Sequence, residues 1–496
     1  MIKKTSLDEI ENYLLDAANV KGFCDAVYFP ENEQDIIDIL KDAGKHSLKV
    51  TVSGNGTGLT GGRVPKGGIV IATEKLNSII EINKEEKYAR LQPAVILKDF
   101  QDLVESEGLF YPPDPTETNC FIGATVATNS SGAKTFKYGP TRNYVLELRV
   151  VLPDGETLKL VRGKHKADGY KLNLTSESGK IYNVEIPDYM MPDTKHAAGY
   201  YSKKDIDPVD LFIGSEGTLG IISEIKLKLI DLPENILSAV IFFSTETDGL
   251  DFIDHARTLS FQSRQSKNLN ELDARGLEFF DSRSLLLLKE DYPQIPQEAQ
   301  AAVWFEQEIN DTNEEIIFEK WLELVLQFNG NEESAWFASN KADREKFKDF
   351  RHSVSWKISE FIAQKNITKV GTDIAVPDNQ FRGFLKDIVE EVKQAGLNYV
   401  VYGHFGNSHA HLNMLPEDQQ EFALAKKIYM DICRKAVELN GTVSAEHGIG
   451  KLKKEYLMMM FGQENIKKMA RLKNTFDPKH ILGIGNIFDE KFLEEV

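Results

Sequence analysis

The sequence predicts a protein that mixes helices and strands over two or three domains. Three observations lead there. The chain has 496 residues, more than one hydrophobic core usually serves. Through the first half, short apolar runs with strand spacing alternate with amphipathic helical stretches. From about residue 237 the texture changes, and long helical stretches separate the strands.

Taken in order, residues 31–43 carry Ile36, Ile37, Ile39 and Leu40 at helical spacing. Residues 48–52 and 68–72 read as short apolar strands, and 97–106 as a helix. Residues 145–152 form a strand running into a Pro-Asp-Gly turn, and 217–230 a strand of alternating Ile and Lys. In the middle, strands at 238–243 and 301–306 alternate with helices at 314–328 and 344–364. Residues 418–473 are mostly amphipathic helix, interrupted by the glycine-rich stretch 441–450. The divisions expected are 1–235, 236–420 and 421–496. Residues 162–169, which run into Tyr170, and residues 195–201 both resemble a Gly-Tyr-containing stretch, and the turn-rich stretch 163–195 reads as an insertion without an assigned role.

Composition narrows the function classes. Apolar residues make up 41% and charged residues 27%, with a formal net charge of −18. Such an acidic chain lacks the basic face that nucleic acid requires, and it does not dock unaided on an anionic membrane. The first ten residues show no apolar core or cleavage site, and no apolar run is long enough to span a bilayer. The expectation is a cytoplasmic protein that reaches a membrane only through a partner. Cys24, Cys120 and Cys433 are scattered without a Cys-x-x-Cys. They exclude a disulfide framework and an iron–sulfur cluster held by this chain, and each is expected to be a buried apolar residue.

Residues 53–63 read SGNGTGLTGGR, with five glycines between Gly54 and Gly62. Glycine permits positive φ, and successive inward N–H groups form a nest suited to a pyrophosphate. Gly56, Gly58 and Gly61 satisfy Gly-x-Gly-x-x-Gly, but that motif needs a helix directly after it. Here 64–68 leads into the strand Ile69-Val-Ile-Ala, so the loop joins strand to strand and the Rossmann reading is rejected. A second small-residue segment, GATVATNSSGA from Gly123, follows Pro112-Pro-Asp-Pro-Thr. It suits either backbone packed against a flat ring or a tight helix–loop contact.

The stretch 404–413, HFGNSHAHLN, holds three of the ten histidines. Strand parity puts His409, His411 and Asn413 on one face, with His404 across a turn. Ser444-Ala-Glu446-His447-Gly-Ile-Gly450 places a carboxylate and an imidazole in a glycine-rich turn. Two imidazoles and a carboxylate commonly hold a divalent metal, while hydrogen-bonded core histidines are the structural alternative.

The glycine loop, PPDP, GATVATNSSGA, Tyr138-Gly and GSEGTLGIISE from Gly214 together resemble the FAD-binding domain of the vanillyl-alcohol oxidase superfamily. GHFGNSHAHLN and SAEHGIG are similar to the branch containing D-lactate dehydrogenase, the glycolate oxidase FAD subunit and D-2-hydroxyglutarate dehydrogenase. The resemblance runs from about 29 to 488. It implies an α+β fold: two subdomains cradling FAD, a substrate domain on an antiparallel sheet, and a helical C-terminal segment that completes the site.

It also implies roles. Gly54, Asn55, Gly56, Thr57, Gly58, Leu59 and Gly61 would bind the FAD pyrophosphate. Pro113, Thr116, Gly123, Thr128, Ser130, Glu216, Gly217 and Ile222 would surround the rest of the cofactor. The loop has no His for a covalent tether, so the FAD is expected to be non-covalent. His404, His411 and Glu446 match the positions that hold a zinc-like divalent metal, and His447 matches the base. Arg351 matches the carboxylate-binding Arg; without the resemblance it reads as a solvated helix residue. Ser355 and Asn413 complete the catalytic set. The implied reaction is oxidation of a small 2-hydroxy acid, such as D-lactate or glycolate, with hydride transfer to flavin N5. The expected partners are that substrate, an electron-acceptor protein or iron–sulfur subunit, and a second copy in a homodimer.

The chain departs from the pattern at Asn407 and His409, where Asp and Asn are common, and at Gly371, where some relatives carry Lys while Lys369 stands two residues earlier here. Two other readings are an alkyl-glycerone-phosphate synthase-like transferase and a non-catalytic FAD subunit that conducts electrons.

Overall fold

The computed structural model describes residues 1–338, 340–365 and 367–496. Its first sheet has strands in the order Ile2–Lys4, Ala26–Phe29, Ile69–Ala72, Val50–Ser53. Strand Val50–Ser53 pairs in parallel with Ile69–Ala72, with Val50 opposite Ile69. Parallel neighbours need a crossover, normally a helix, and here the glycine loop 54–68 makes it. The helix read at 31–43 is Glu33–His46; Asn32 caps it by accepting from the N–H of Asp35 at 3.0 Å.

A second, antiparallel sheet has the order Ile79–Asn83, Tyr88–Leu91, Ile221–Lys228, Val145–Val151, Thr157–Val161. The strand expected from 217 begins only at Ile221, because Gly214 (φ 80°), Glu216 (φ 53°) and Gly217 (φ 67°) form a left-handed turn that cannot join a ladder. The 163–195 stretch contains a hairpin, Lys171–Thr175 with Ile181–Glu185. Its inner residues Leu172, Leu174, Tyr182 and Val184 are buried, so the inserted segment has a core face. Cys120 and Cys433 are buried as expected, but Cys24 is only half-buried.

The third sheet has eight strands, with Gly330–Phe337 at one edge and His409–Met414 near the other; the neighbours between are Asn235–Phe243, Ala301–Ile309, Ala274–Asp281 and Tyr399–Gly403. Residues 239–243 of strand Asn235–Phe243 are an unbroken apolar run because both faces are covered. Ala239, Ile241 and Phe243 pack toward Phe252 and Trp321 of helices Glu246–Ser266 and Glu314–Gln327. Val240 and Phe242 pack on the other face, toward Leu285, Phe350 and Val354 of helices Ser282–Leu288 and Lys341–Lys365.

That second face carries the chemistry. Glu278 stands opposite Trp304, Phe280 opposite Tyr402, and Tyr402 opposite His411, so register brings these side chains to one side of the sheet under helix Lys341–Lys365. The helices Gln419–Glu438 and Lys454–Phe476 follow, the latter kinked at Gly462. The chain then returns to the first sheet: Val50 donates to Ile481 O at 2.7 Å, and Gly483 donates to Val50 O at 2.8 Å. Among the described residues, no helix is long and apolar enough to cross a membrane.

Candidate active site

The glycine loop, helix Ile122–Thr128 and the turn 214–217 line a cleft of about 160 Å³. Gly54, Asn55, Gly56, Thr57, Gly58, Gly123, Thr128, Glu216, Gly217 and Ile222 line it, and so does His447. Leu59 and Gly61 belong to the loop, while Pro113, Thr116 and Ser130 lie outside this lining; Thr116 is exposed, and Ser130 is held by Thr128 through a 2.8 Å hydroxyl contact.

Sequence reasoning missed the residues that shape the loop. Arg63 lies inside it and donates to Leu15 O at 2.8 Å and Gly54 O at 2.9 Å. Its guanidinium explains one glycine: a Cβ on Gly56 would lie 2.6 Å from Arg63 Cζ, at a φ of +83°. Asp16 accepts from the N–H of Gly61 at 2.7 Å. Asn486, far along the chain, donates to Gly62 O at 2.9 Å and Glu216 O at 3.2 Å.

Glu216 links the cofactor cleft to the SAEHGIG turn. It accepts the N–H groups of Ile449 at 2.7 Å and Gly450 at 2.6 Å. Burial pushes its carboxyl up to about 7 despite those bonds.

Beyond His447 lies the histidine cluster. His404, His409, His411 and Glu446 each offer one ligand atom, and all four atoms lie within 4.8 Å of one another. His404 contacts Glu278 through Nδ1 at 2.6 Å and Glu446 through Nε2 at 3.2 Å. Burial alone would depress this imidazole, but the flanking Glu278 and Glu446 carboxylates overcome it and hold it at about 9. His411 donates from Nδ1 to Thr372 O at 3.3 Å and turns Nε2 toward Glu446, 3.8 Å away. Burial, with His409 and His404 close by, keeps His411 well below the usual imidazole range. Buried carboxylate and imidazoles around one point fit a divalent ion.

Two further residues escaped the sequence reading. Lys195, at the end of the inserted stretch, is buried, with its ammonium against Glu446 Oε1 and 3.3 Å from Gly132 O. Asp373 is 1% exposed and organises the SAEHGIG turn. It takes the Ser444 hydroxyl at 2.8 Å, the Lys453 ammonium at 2.7 Å and His447 Nδ1 at 3.2 Å. Burial would raise the Asp373 carboxyl, but His447 and Lys453 hold it well below the usual carboxylate range. The signal available was the acid itself, four residues before Pro377 in a strand-ending segment.

Arg351 is buried on helix Lys341–Lys365, over Trp304 with 5.3 Å from guanidinium carbon to ring centre. Its Nη2 meets His352 Nε2 at 2.9 Å, and its Nε is buried without a partner. Burial, with the Arg351 charge alongside, pushes His352 down to about 2, which leaves a neutral ring to accept that bond. The Arg351 charge also reaches Glu278 and helps keep it ionised. Ser355 turns its hydroxyl to that of Tyr402, 2.9 Å away, whose ring flanks His411. Asn413 donates to His411 O at 3.4 Å and sits across from Gly371, where a Cβ would come within 2.5 Å of Asn413 Oδ1 and 3.7 Å of Lys369 Cε.

A glycine-lined cleft that meets a buried His/Glu cluster at one imidazole, His447, is an arrangement a flavin-dependent oxidoreductase can use. The comparisons agree. The chain matches the model for the FAD binding domain over residues 24–161 and that for FAD linked oxidases, C-terminal domain, over residues 263–487. It is 31% identical over 470 residues to the glycolate oxidase subunit GlcD of Bacillus subtilis, covering 94% of this chain and 89% of that protein. It is 29% identical to a D-lactate dehydrogenase of Anaerostipes hadrus (92% and 87% covered) and 28% identical to a D-2-hydroxyglutarate dehydrogenase of Stutzerimonas stutzeri (93% and 90%). A solved alkyldihydroxyacetonephosphate synthase superimposes with a TM-score of 0.66 over 97% of this chain and 81% of its own, at 17% identity, and so shares the fold. This chain belongs to the FAD-linked oxidase family of the vanillyl-alcohol oxidase superfamily.

Proposed function

We propose that the protein is a dehydrogenase that oxidises a small 2-hydroxy acid, D-lactate or glycolate in size, to the 2-oxo acid. The observation that carries this reading is the place of His447: it lines the cofactor cleft and, with Asp373 and Glu446, borders the histidine cluster.

FAD supplies the hydride acceptor when bound. The glycine cradle fits it, and the cleft's lining includes no cysteine and no histidine but His447, which suits a non-covalent cofactor. A divalent ion on His404, His411 and Glu446, when bound, would lower the pKa of a substrate hydroxyl, as zinc lowers that of water from about 15.7 to about 7.

The chain's own residues do the rest. Arg351 presents a buried, unpaired Nε to a substrate carboxylate. Asp373 accepts a hydrogen bond from His447 Nδ1–H and so leaves Nε2 free to accept the hydroxyl proton as C2 gives up its hydride. Ser355, Tyr402 and Asn413 fix the walls around His411. The three scattered cysteines provide no cluster, so the electrons leave the flavin for an acceptor outside this chain.

The test is anaerobic mixing of the holoprotein with a panel of D- and L-2-hydroxy acids, with and without chelator. Flavin bleaching by at least one of them, slowed by chelator and abolished by His447→Gln, is expected. A panel that leaves the flavin oxidised overturns the reading.

A further inference from the structure

His409 stands apart from the three residues assigned above to the metal. Its side chain is wholly buried; Nε2 has Asp373 Oδ1 3.3 Å away in poor geometry, and Nδ1 has no hydrogen-bond partner. Burying an imidazole nitrogen unsatisfied is costly, and native structures keep such an atom where something else satisfies it.

Its surroundings point to an ion. The ring centre is 4.4 Å from that of His411 and 5.3 Å from that of His404. Strand parity forces this closeness, since 409 and 411 share a face of His409–Met414. Each of the three imidazoles also has an oxygen behind one nitrogen. Glu278 stands 2.6 Å behind His404, Thr372 O 3.3 Å behind His411, and Asp373 Oδ1 3.3 Å from His409 Nε2, off the line of a true hydrogen bond. An oxygen on the outer nitrogen is the usual support for a metal-binding histidine, because it leaves the other nitrogen facing the ion.

Three imidazoles and one carboxylate favour a first-row transition ion over magnesium or calcium. Four protein ligands would fill a tetrahedral zinc, as in closed structural sites. An ion that takes six ligands keeps two places, the number a carboxylate and a neighbouring hydroxyl need. Ligands at about 2.1 Å from such an ion stand roughly 3 to 4 Å apart, so atoms within 4.8 Å of one another need only a slight contraction.

We infer that His409 is a fourth protein ligand, and that the site is built for a six-coordinate ion of the Fe²⁺, Co²⁺ or Ni²⁺ type rather than for tetrahedral zinc. This rests on the metal reading above and sharpens it.

The experiment uses chelator-treated, FAD-loaded protein titrated with Co²⁺, read as a difference spectrum against the metal-free holoprotein. Wild type should show the weak ligand-field band of six ligands. His409→Asn should bind Co²⁺ about 10- to 100-fold less tightly, with a changed band. A single equivalent of Cu²⁺ on wild type should show three nitrogen donors by electron paramagnetic resonance, a measurement that needs no variant. Unchanged affinity and band in His409→Asn, only two nitrogens on Cu²⁺, or an intense four-coordinate Co²⁺ band would overturn this inference and leave the three-ligand reading standing. Failure of wild type to bind Co²⁺ at all would overturn both.

Discussion

The Nδ1 of His447 lies 3.2 Å from Asp373 Oδ2, and the same carboxylate accepts the backbone N–H groups of Ala445 at 3.2 Å, Glu446 at 3.0 Å and His447 at 3.1 Å. One acid therefore sets both the tautomer of the imidazole and the shape of the turn that carries it. Asp373→Asn should lower the rate of anaerobic flavin reduction about 10²- to 10⁴-fold, because the amide can donate to Nδ1 and leave the proton on Nε2. Flavin absorbance should show the cofactor retained. A rate within a factor of a few of wild type would remove Asp373 from the mechanism.

On the proposed reading, the buried guanidinium of Arg351, with its unpartnered Nε, receives the substrate carboxylate. Arg351→Lys should raise KM for the 2-hydroxy acid roughly 10- to 100-fold, with a smaller change in kcat, since an ammonium cannot reproduce the fork or stack on Trp304 in the same way. Steady-state kinetics check this; an unchanged KM places the substrate carboxylate elsewhere.

Two glycines of one loop should respond differently. Gly56→Ala puts a Cβ against the Arg63 guanidinium at positive φ and should lower the stability of the apoprotein by about 1–3 kcal/mol. Gly58 has open space around it and no such φ, so Gly58→Ala should change apoprotein stability by less than about 0.5 kcal/mol. Gly58 lines the cleft, so FAD affinity is where its added methyl should be felt. Thermal denaturation of the apoproteins and flavin titration separate the two effects.

Lys195 is the only counter-cation that a side chain outside the imidazoles brings onto Glu446 among the described residues. Lys195→Met should destabilise the metal-free protein by about 3 kcal/mol, the lower end for stripping one partner from a buried pair, since His404 still faces the carboxylate. Adding a divalent ion should recover most of the loss. The melting temperature with chelator and with Co²⁺ reads both; no drop with chelator would show that the ammonium is dispensable.

Glu216 makes the apoprotein sensitive to pH. Its folded carboxyl sits at about 7 against an ordinary 4.5, so the folded state holds the proton more tightly than the unfolded one. Stability from this group is fully present below about pH 4.5 and declines as pH rises through about 7. At 1.36 kcal/mol for each pH unit the loss is at most about 3 kcal/mol. Glu216→Gln lacks this term, so wild type should lose stability relative to the variant across that range. Parallel denaturation curves at pH 5 and pH 8 would refute the assignment.

Much of this was legible because it is periodic or local. Strand parity put His409 beside His411, and glycine density marked the cofactor loop. Helices such as Leu97–Ser106 and Glu314–Gln327 announce themselves by spacing. What stayed hidden depends on long-range register. Nothing near Asp373 says that it will sit beneath a turn 71 residues later, joined by the Ser444 hydroxyl. Lys195 reaches Glu446 across 251 residues, and Arg63 is an ordinary surface-type residue until the loop folds around it. The 217–220 stretch was misread as strand because the left-handed turn at Glu216–Gly217 has no apolar signature.

The clasp between Val50 and residues 481–483 has a consequence for biosynthesis. The strand that launches the glycine loop emerges from the ribosome about 430 residues before the segment that pairs with its edge, and Asn486, which grips Gly62 and Glu216, emerges later still. At 5–20 residues per second that interval is roughly 20–90 s. During it the edge of Val50 and the carbonyls of Gly62 and Glu216 lack the partners that hold them in the folded chain. The glycine loop therefore reaches its final set of backbone contacts only in a finished chain, and a message truncated just short of residue 481 would yield a polypeptide with every loop glycine in place and these anchors gone.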